Sequence, residues 1–430
     1  MTSEERKQQL LKIKGEGKPY MTGIPLLYHG EREQFNVYQI PLSILTYNPY
    51  NGRIGSEVKS FERQHHQLDP NKPEDIAIIE KFLWESKEQA NKKTMQSLLH
   101  DHQQKFGIVT ADGKIIDGNR RACLLNRLWR DNTIEVAEKK HCEWFYAIIL
   151  PVDADKKEIL RLETTYQMGE DAKVDYNPIE KYLKCGDLRD AGFTADEIAL
   201  FMGVQKTDVQ TYLKTLELMN DYLDTFGYDG MYTQLDGNED SFLKLDAALR
   251  KYKAGNVSSM WDYSPESDVN DLKLCAFDYI RLGFEQTDFR DIIRTPSRAN
   301  SSFFANKGIW ESFRDKHFEI VDSVKEEPVE ELIQKNPNDD LKRLLRIRDS
   351  KWRKKIEEKL RGNYAVHKDK LSNKQEAAEP LRLLAKALDA LKSVDVGTHS
   401  FLAEREGISQ KLQEIQGATA KLMETLNKVG

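Results

Sequence analysis

Two adjacent arginines follow a glycine in the segment Asp117-Gly118-Asn119-Arg120-Arg121, and this pattern suits the binding of an anion. A guanidinium group can donate two parallel hydrogen bonds to phosphate oxygens, so two arginines in succession can hold a phosphate firmly. Gly118 lets the backbone come close to such a ligand, because glycine carries no Cβ atom. These residues therefore predict a phosphate-binding site.

The surrounding sequence places this segment between a strand and a helix. Two short β-rich runs, Gly107–Thr110 and Lys114–Asp117, flank Asp112-Gly113, a dipeptide that is typical of a hairpin turn. Apolar side chains then recur at helical spacing between Ala122 and Trp129. The first turn of a helix offers free N–H groups and a positive dipole end, which favour an anion. An ordinary hairpin-to-helix junction with solvated arginines is the alternative interpretation.

The arginine segment and its apolar helix resemble the nucleotide-phosphate motif of the ParB/sulfiredoxin fold, where ParB-type partition proteins carry Gly-Glu-Arg-Arg. That family also has an early strand followed by an Asn-Pro…Arg turn. Here the apolar, β-like run Val37–Leu45 leads into Tyr47-Asn48-Pro49-Tyr50-Asn51-Gly52-Arg53. The resemblance implies that the nucleotide is contacted by Arg53, Gly118, Asn119, Arg120 and Arg121. A plain surface role for Arg53 is the alternative.

The resemblance continues from Arg161 to Gln167 and then through Asn177-Pro178-Ile179-Glu180. In the ParB family the corresponding Glu-Asn pair lies near the metal and the nucleoside triphosphate. The resemblance therefore implies that Glu163 holds Mg²⁺ and that Thr164, which replaces the family asparagine, contacts the nucleotide. The Asn-Pro-Ile-Glu stretch is also a good helix start in its own right.

Residues 194–216 have the pattern of a helix-turn-helix unit. Thr194 caps the first helix, the small Ala199 permits a close crossing, Gly203 makes the turn and Val209 fills the core. Glutamine and threonine can read bases, and lysine can meet phosphates. The residues of the second helix that we expect to contact DNA are Gln205, Lys206, Thr207, Gln210, Thr211 and Lys214. A helix pair with a purely structural role is the alternative.

Composition limits the class of protein. With 430 residues, of which 32% are charged, and a net charge of −6, the chain is long enough for about two to three domains and is expected to be rich in helices. No run approaches the ~20 apolar residues of a membrane span, and the charged N-terminus predicts neither a signal peptide nor a membrane anchor. The four cysteines lie far apart in the sequence, which favours a reduced, cytoplasmic protein.

We expect an α+β fold: a ParB/sulfiredoxin-like N-terminal domain with a small mixed sheet, then an all-α helix-turn-helix domain and an α-helical C-terminal region. The expected boundaries are an N-terminal arm at 1–36, a nucleotide-binding domain at 37–170, a helical domain at 171–320, an acidic linker at 321–340 and the C-terminal region at 341–430.

The C-terminal region begins with a strongly basic stretch, Leu341–Arg361. It either touches nucleic acid phosphates, or pairs with the acidic linker, or forms a solvated helix face. Apolar residues at helical spacing further along predict dimerisation, with packing onto the same chain as the alternative.

The order of these motifs resembles that of ParB-type proteins, and this resemblance implies a nucleoid-associated, DNA-binding homodimer that binds CTP or ATP with Mg²⁺ as a conformational switch. An alternative is an enzyme on the same fold, a nuclease, nucleoside triphosphatase or phosphotransferase in a mobile-element or phage-defence setting. In that case Asp117 or Glu163 would act as a base or a metal ligand. A third possibility is a non-catalytic adaptor with a vestigial arginine motif. Sulfiredoxin chemistry is not expected, because Asn119 stands where that enzyme has its cysteine.

Overall fold

The structure, a computed structural model, describes residues 1–170, 177–255, 257, 261–284, 286–295, 301–337, 339–395 and 404–429. The chain forms two compact units, Met1–Tyr364 and Ala365–Gly430. In the described residues, strands occur only between Met21 and Ile149, and the regular structure that follows is helical. The expected α+β class with a small mixed sheet is therefore confirmed, while the domain boundaries remain predictions.

The sheet has five strands: β1 (Met21–Tyr28), β2 (Glu31–Pro41), β3 (Gly107–Val109), β4 (Ile115–Asp117) and β5 (Trp144–Ile149). Their spatial order is β1-β2-β5-β3-β4, and only the β3–β5 pair is parallel. The expected hairpin is formed by β3 and β4, and the apolar run 142–152 contains β5. Strand β1 was not expected from the sequence.

Side chains alternate across this sheet and supply two separate cores. On β2, Tyr38 and Ile40 belong to one core, whereas Phe35 and Val37 belong to the other. The first core is covered by α1 (Ser3–Glu16), α2 (Gly55–Gln64), α3 (Pro73–Glu85), α4 (Glu88–Asp101) and α5 (Asn119–Arg130). A short helix, α6 (Val136–Lys139), precedes β5, and α7 (Lys156–Thr164) packs on the second core.

Helices continue through the rest of the first unit. They are α8 (Pro178–Asp190), α9 (Ala195–Met202), α10 (Lys206–Thr225), α11 (Glu239–Lys253), α12 (Ser267–Arg281), α13 (Gln286–Ile293), α14 (Lys307–Asp322) and α15 (Val329–Lys335). Helix α16 spans Leu341–Lys392, and the second unit contains its C-terminal part together with α17 (Arg405–Val429). The acidic segment 321–340 thus includes a helix of its own. None of the helices in the described ranges has the length and apolarity that crossing a lipid bilayer requires.

Candidate functional site

The strand-to-helix junction at Gly118 requires a glycine for two reasons. Its φ angle is 100°, in the left-handed region, and a Cβ atom there would lie 2.7 Å from the ring of Phe145. Among the described residues, no side chain caps the first turn of α5. The N-cap position therefore offers no side-chain acceptor to the first N–H groups of α5.

Asn119 joins this junction to the turn at 47–53. Its side-chain oxygen accepts a hydrogen bond from the backbone N–H of Asn48 at 2.8 Å, and its Nδ2 donates to the carbonyl of Ile115 at 2.9 Å. Asn119 and Asn48 are both only 3% exposed. Both ends of the amide are thus occupied within the protein, and the side chain fixes the distance between two segments that each carry an arginine.

Arg121 stabilises the same junction through hydrogen bonds to strand β4 and to the segment before β3. Its guanidinium donates to Asp117 Oδ2 at 3.0 Å, to the carbonyl of Phe106 at 3.2 Å and to that of Lys105. Both members of the Arg121–Asp117 pair are largely buried. A buried arginine with this many acceptors is held in one geometry, so it ties β4 and the start of α5 to the chain that enters β3.

Arg120 and Arg53 are half-buried at the edge of the same region. Arg120 Nη2 donates to Thr94 Oγ1 on α4 at 3.3 Å. Arg53 follows a turn whose Asn51 side chain donates to the carbonyl of Asn48 at 2.7 Å and is fully buried. The backbone that carries Arg53 is therefore fixed by the turn.

Gln167, in the stretch 161–167, links that stretch to the turn at 47–53 and to strand β4. Its Oε1 accepts from the N–H of Gly52 at 3.1 Å, and its Nε2 donates to the carbonyl of Ile116 at 2.8 Å. The side chain is buried, in a π-helical turn that follows α7. Sequence reasoning assigned no role to Gln167, although it ends the stretch 161–167 that carried the resemblance.

Glu163 is buried beside a lysine. Its Oε2 lies 3.2 Å from Lys184 Nζ, with both side chains nearly inaccessible, and its Oε1 has no hydrogen-bond partner within the described residues. Burial raises the pKa of Glu163, an effect that Lys184 and Lys114 oppose. Thr164, fully buried, donates its hydroxyl to the carbonyl of Leu160 at 2.8 Å. A nucleotide would reach Thr164 only if that packing opened.

A metal centre made of protein side chains is not formed in the described part of the chain, where no three His, Cys, Asp or Glu residues lie close enough together. Mg²⁺ commonly binds through one or two carboxylates together with substrate phosphates and water. Glu163 Oε1 is a buried acceptor without a donor among the described residues.

The Asn-Pro-Ile-Glu stretch begins a helix, as its sequence indicated. Asn177 accepts from the N–H of Ile179 at 3.1 Å, and Pro178 opens α8. Glu180 has a further role that the sequence did not reveal, because its Oε1 accepts from the N–H of Ser56 at 2.8 Å. Glu180 therefore caps the N-terminus of α2, a helix that begins directly after the turn that carries Arg53.

Helices α9 and α10 form the expected helix-turn-helix pair. The side chain of Thr194 caps α9, Gly203 at φ 66° ends it, and Ala199 and Val209 are buried in the core between the helices. The predicted DNA-contact residues are all exposed except the half-buried Thr211: Gln205, Lys206, Thr207, Gln210 and Lys214.

Two of these side chains are already engaged with neighbours. Lys206 pairs with Asp196 at 2.8 Å, and the Thr211 hydroxyl donates to the carbonyl of Thr207 at 2.9 Å. Contact with DNA stays a prediction for the whole set.

The sequence matches no protein-family model, and no curated protein is similar enough to count as a relative.

Proposed function

We propose that the chain is a DNA-associated protein of the ParB type that binds a nucleoside triphosphate, CTP or ATP, as a conformational switch. The observation that carries this proposal is the hydrogen bond between Asn119 and Asn48, which joins the arginine motif to the Asn-Pro…Arg turn. Gln167 adds the third segment to the same group through Gly52 and Ile116. Segments that are far apart in sequence and share one resemblance thus meet at one helix start.

The donors for the phosphates are Arg120, Arg53 and the N–H groups of the first turn of α5. Asn119 and Arg121 hold these donors in position, because their own polar atoms are used within the protein. A polyanion at an uncapped helix start gains from both the N–H groups and the helix dipole. This arrangement favours a triphosphate over an uncharged ligand.

Glu163 would hold Mg²⁺ through Oε1, and the ion would neutralise part of the phosphate charge. Lys184 already compensates the other oxygen of this carboxylate at 3.2 Å. Asp117 is likewise bound to Arg121 at 3.0 Å. Arg121 thus engages Asp117, and Glu163 is nearly inaccessible, so neither carboxylate is placed to take a proton from a substrate. We therefore infer that binding, rather than hydrolysis or DNA cleavage, is the principal activity.

The helix-turn-helix pair supplies the contact with DNA in this proposal. Its exposed Gln210 and Lys214 lie one turn apart on α10, a helix of 20 residues, and the exposed Gln205 immediately precedes that helix. The apolar residues at helical spacing in the C-terminal region are the proposed means of homodimerisation.

The test is the variant Arg120→Ala, titrated calorimetrically with CTP and with ATP in the presence of Mg²⁺. Loss of a charge-assisted contact to phosphate is expected to weaken binding about tenfold or more. Arg127→Ala is the matched control: this exposed arginine lies on the same helix but stacks on Trp84, with its guanidinium carbon 4.1 Å from the ring centre.

Thermal unfolding of both variants establishes that they fold. Unchanged nucleotide affinity in Arg120→Ala would refute the proposed site. Phosphate release or nicked plasmid DNA in the same samples would instead favour an enzyme.

A further inference from the structure

A polar cavity of about 320 Å³ lies in the first unit between α12, the start of α16 and the segment 228–238. Four basic side chains line it: Arg281 from α12, and Lys342, Arg346 and Arg353 from α16. The three on α16 are four and seven residues apart, a spacing that keeps them on one side of the helix. Positive charge is therefore concentrated at one wall.

Most of this charge is not neutralised by the protein. Arg281 is compensated, since it pairs with Glu326 at 2.6 Å and with Asp349 at 2.5 Å. Within the described residues, Lys342 and Arg346 form no ion pair and both are exposed, and Arg353 donates only to the carbonyl of Arg281. The cavity thus presents three cations that form no ion pair in the described part of the chain, beside one that does. Glu57 and Asp236 act on Lys342 only from beyond ion-pair distance.

The wall also contains buried donors that lack acceptors. Thr233 is only 9% exposed, and its Oγ1 has no hydrogen-bond partner among the described residues; the same holds for Nε of Arg281. Buried polar atoms in folded proteins nearly always have partners. Two donors without acceptors beneath three cations indicate a ligand that is both anionic and rich in acceptor oxygens.

We propose that this cavity binds a phosphate group, with Lys342, Arg346 and Arg353 as its cations and Thr233 and Arg281 as donors in its wall. The basic stretch Leu341–Arg361, with ten basic and three acidic residues, continues beyond the cavity and would accompany a phosphodiester chain. The phosphate can thus belong to a nucleic acid strand or to a free small molecule. The site is independent of whether the α5 junction binds a nucleotide.

The experiment compares the full chain with Lys342→Ala/Arg346→Ala, using a short labelled single-stranded oligodeoxynucleotide and, separately, inorganic phosphate. Affinity for whichever probe binds is expected to fall about tenfold or more, because two charge-assisted contacts are lost. The matched control is Lys251→Ala/Lys253→Ala, which removes two exposed charges from α11, outside both the cavity wall and the basic stretch. Its affinity is expected to change about twofold at most.

Thr233→Val provides a second variant with nearly the same side-chain volume and no hydroxyl. It is expected to weaken phosphate binding about threefold without altering the dependence on salt, since no charge is removed. Binding of inorganic phosphate identifies a small-molecule source, and binding of the oligonucleotide alone identifies a strand. The proposal is overturned if the wild-type protein binds neither probe, or if the two double variants lose affinity to the same extent.

Discussion

Glu180 is a buried carboxylate that closes the N-terminus of a helix to which it does not belong. It lies on α8, is 2% exposed, and accepts from the N–H of Ser56 in the first turn of α2. Gly55 allows this approach, because a Cβ at that position would lie 2.7 Å from Glu180 Oε2. Burial raises the pKa of Glu180 to about 7, an effect that the hydrogen bond from Ser56 opposes.

The free energy of unfolding should therefore depend on pH through the titration of Glu180. Between pH 4.5, the ordinary pKa of a glutamate, and pH 7, the folded state keeps a proton that the unfolded state has released. The free energy of unfolding should thus fall as pH rises through this window, by about 3 kcal/mol at most, and level off above it. Glu180→Gln is expected to show a smaller decline than the wild-type protein when urea unfolding is compared at pH 5 and pH 8, since burial raises the pKa of Glu163 as well.

Glu74→Gln serves as the control for this pH experiment, since Glu74 is an exposed glutamate in the first turn of α3. It should keep the decline seen in the wild-type protein. A wild-type profile that is flat between pH 5 and pH 8, or one that Glu180→Gln leaves unaltered, would contradict the assignment.

Among the elements, the helix-turn-helix pair is specified by local sequence signals: a cap at the start of α9 and a glycine at its end. Thr194 caps α9 through a reciprocal contact with Glu197, and Gly203 takes the left-handed conformation that ends it. These contacts span three or four residues, so the pair could be predicted without knowledge of the fold. The β3–β4 hairpin was recognisable for the same reason.

The candidate site was less predictable, because its decisive contacts join distant parts of the chain. Gln167 reaches Gly52 across 115 residues, and Glu180 reaches Ser56 across 124. The pairing of Lys184 with Glu163 likewise depends on how α8 packs against α7. The segments that carry the motifs do contact one another, but whether a polar side chain faces a ligand or another backbone depends on packing that no local pattern encodes.

Lys214 provides the clearest test of DNA contact by α10. It is exposed and forms no ion pair within the described residues, whereas Lys206 is held by Asp196 at 2.8 Å. Lys214→Ala should weaken duplex DNA binding and reduce the slope of log affinity against log salt by about one, the value for one phosphate contact. Lys206→Ala should have a smaller effect, because its charge is already shared. Fluorescence anisotropy at several salt concentrations measures both quantities.

Lys251→Ala on α11 removes an equally exposed lysine outside the helix-turn-helix pair and should leave the slope unchanged. Equal slopes for Lys214→Ala and the wild-type protein would indicate that α10 is a structural helix.

On the scale of the whole first unit, α2 connects the candidate nucleotide site with the start of α16. Its first turn follows the turn at 47–53 and is closed by Glu180. Its last residue, Gln64, donates to the carbonyl of Asp339 and accepts from the N–H of Leu341, both at 2.5 Å. A shift of α2 that accompanies nucleotide binding would therefore be passed to α16, because a helix of 10 residues moves as a rigid body.

Gln64→Ala should weaken this connection while it leaves the charged side chains of both proposed sites in place. If the nucleotide and nucleic acid sites are coupled, each ligand must change the affinity for the other by the same factor, typically about 5- to 150-fold. In Gln64→Ala that factor should move toward one. Nucleotide affinity measured without DNA should stay within about twofold of wild type, since the bonds lost lie at the far end of α2.

The measurement is DNA affinity with and without CTP or ATP. The control is Gln8→Ala, which changes an exposed glutamine on α1 and should keep the full factor. A coupling factor that survives in Gln64→Ala would mean that the two sites communicate through α8, whose Asp187 also binds Lys59 of α2 at 3.0 Å.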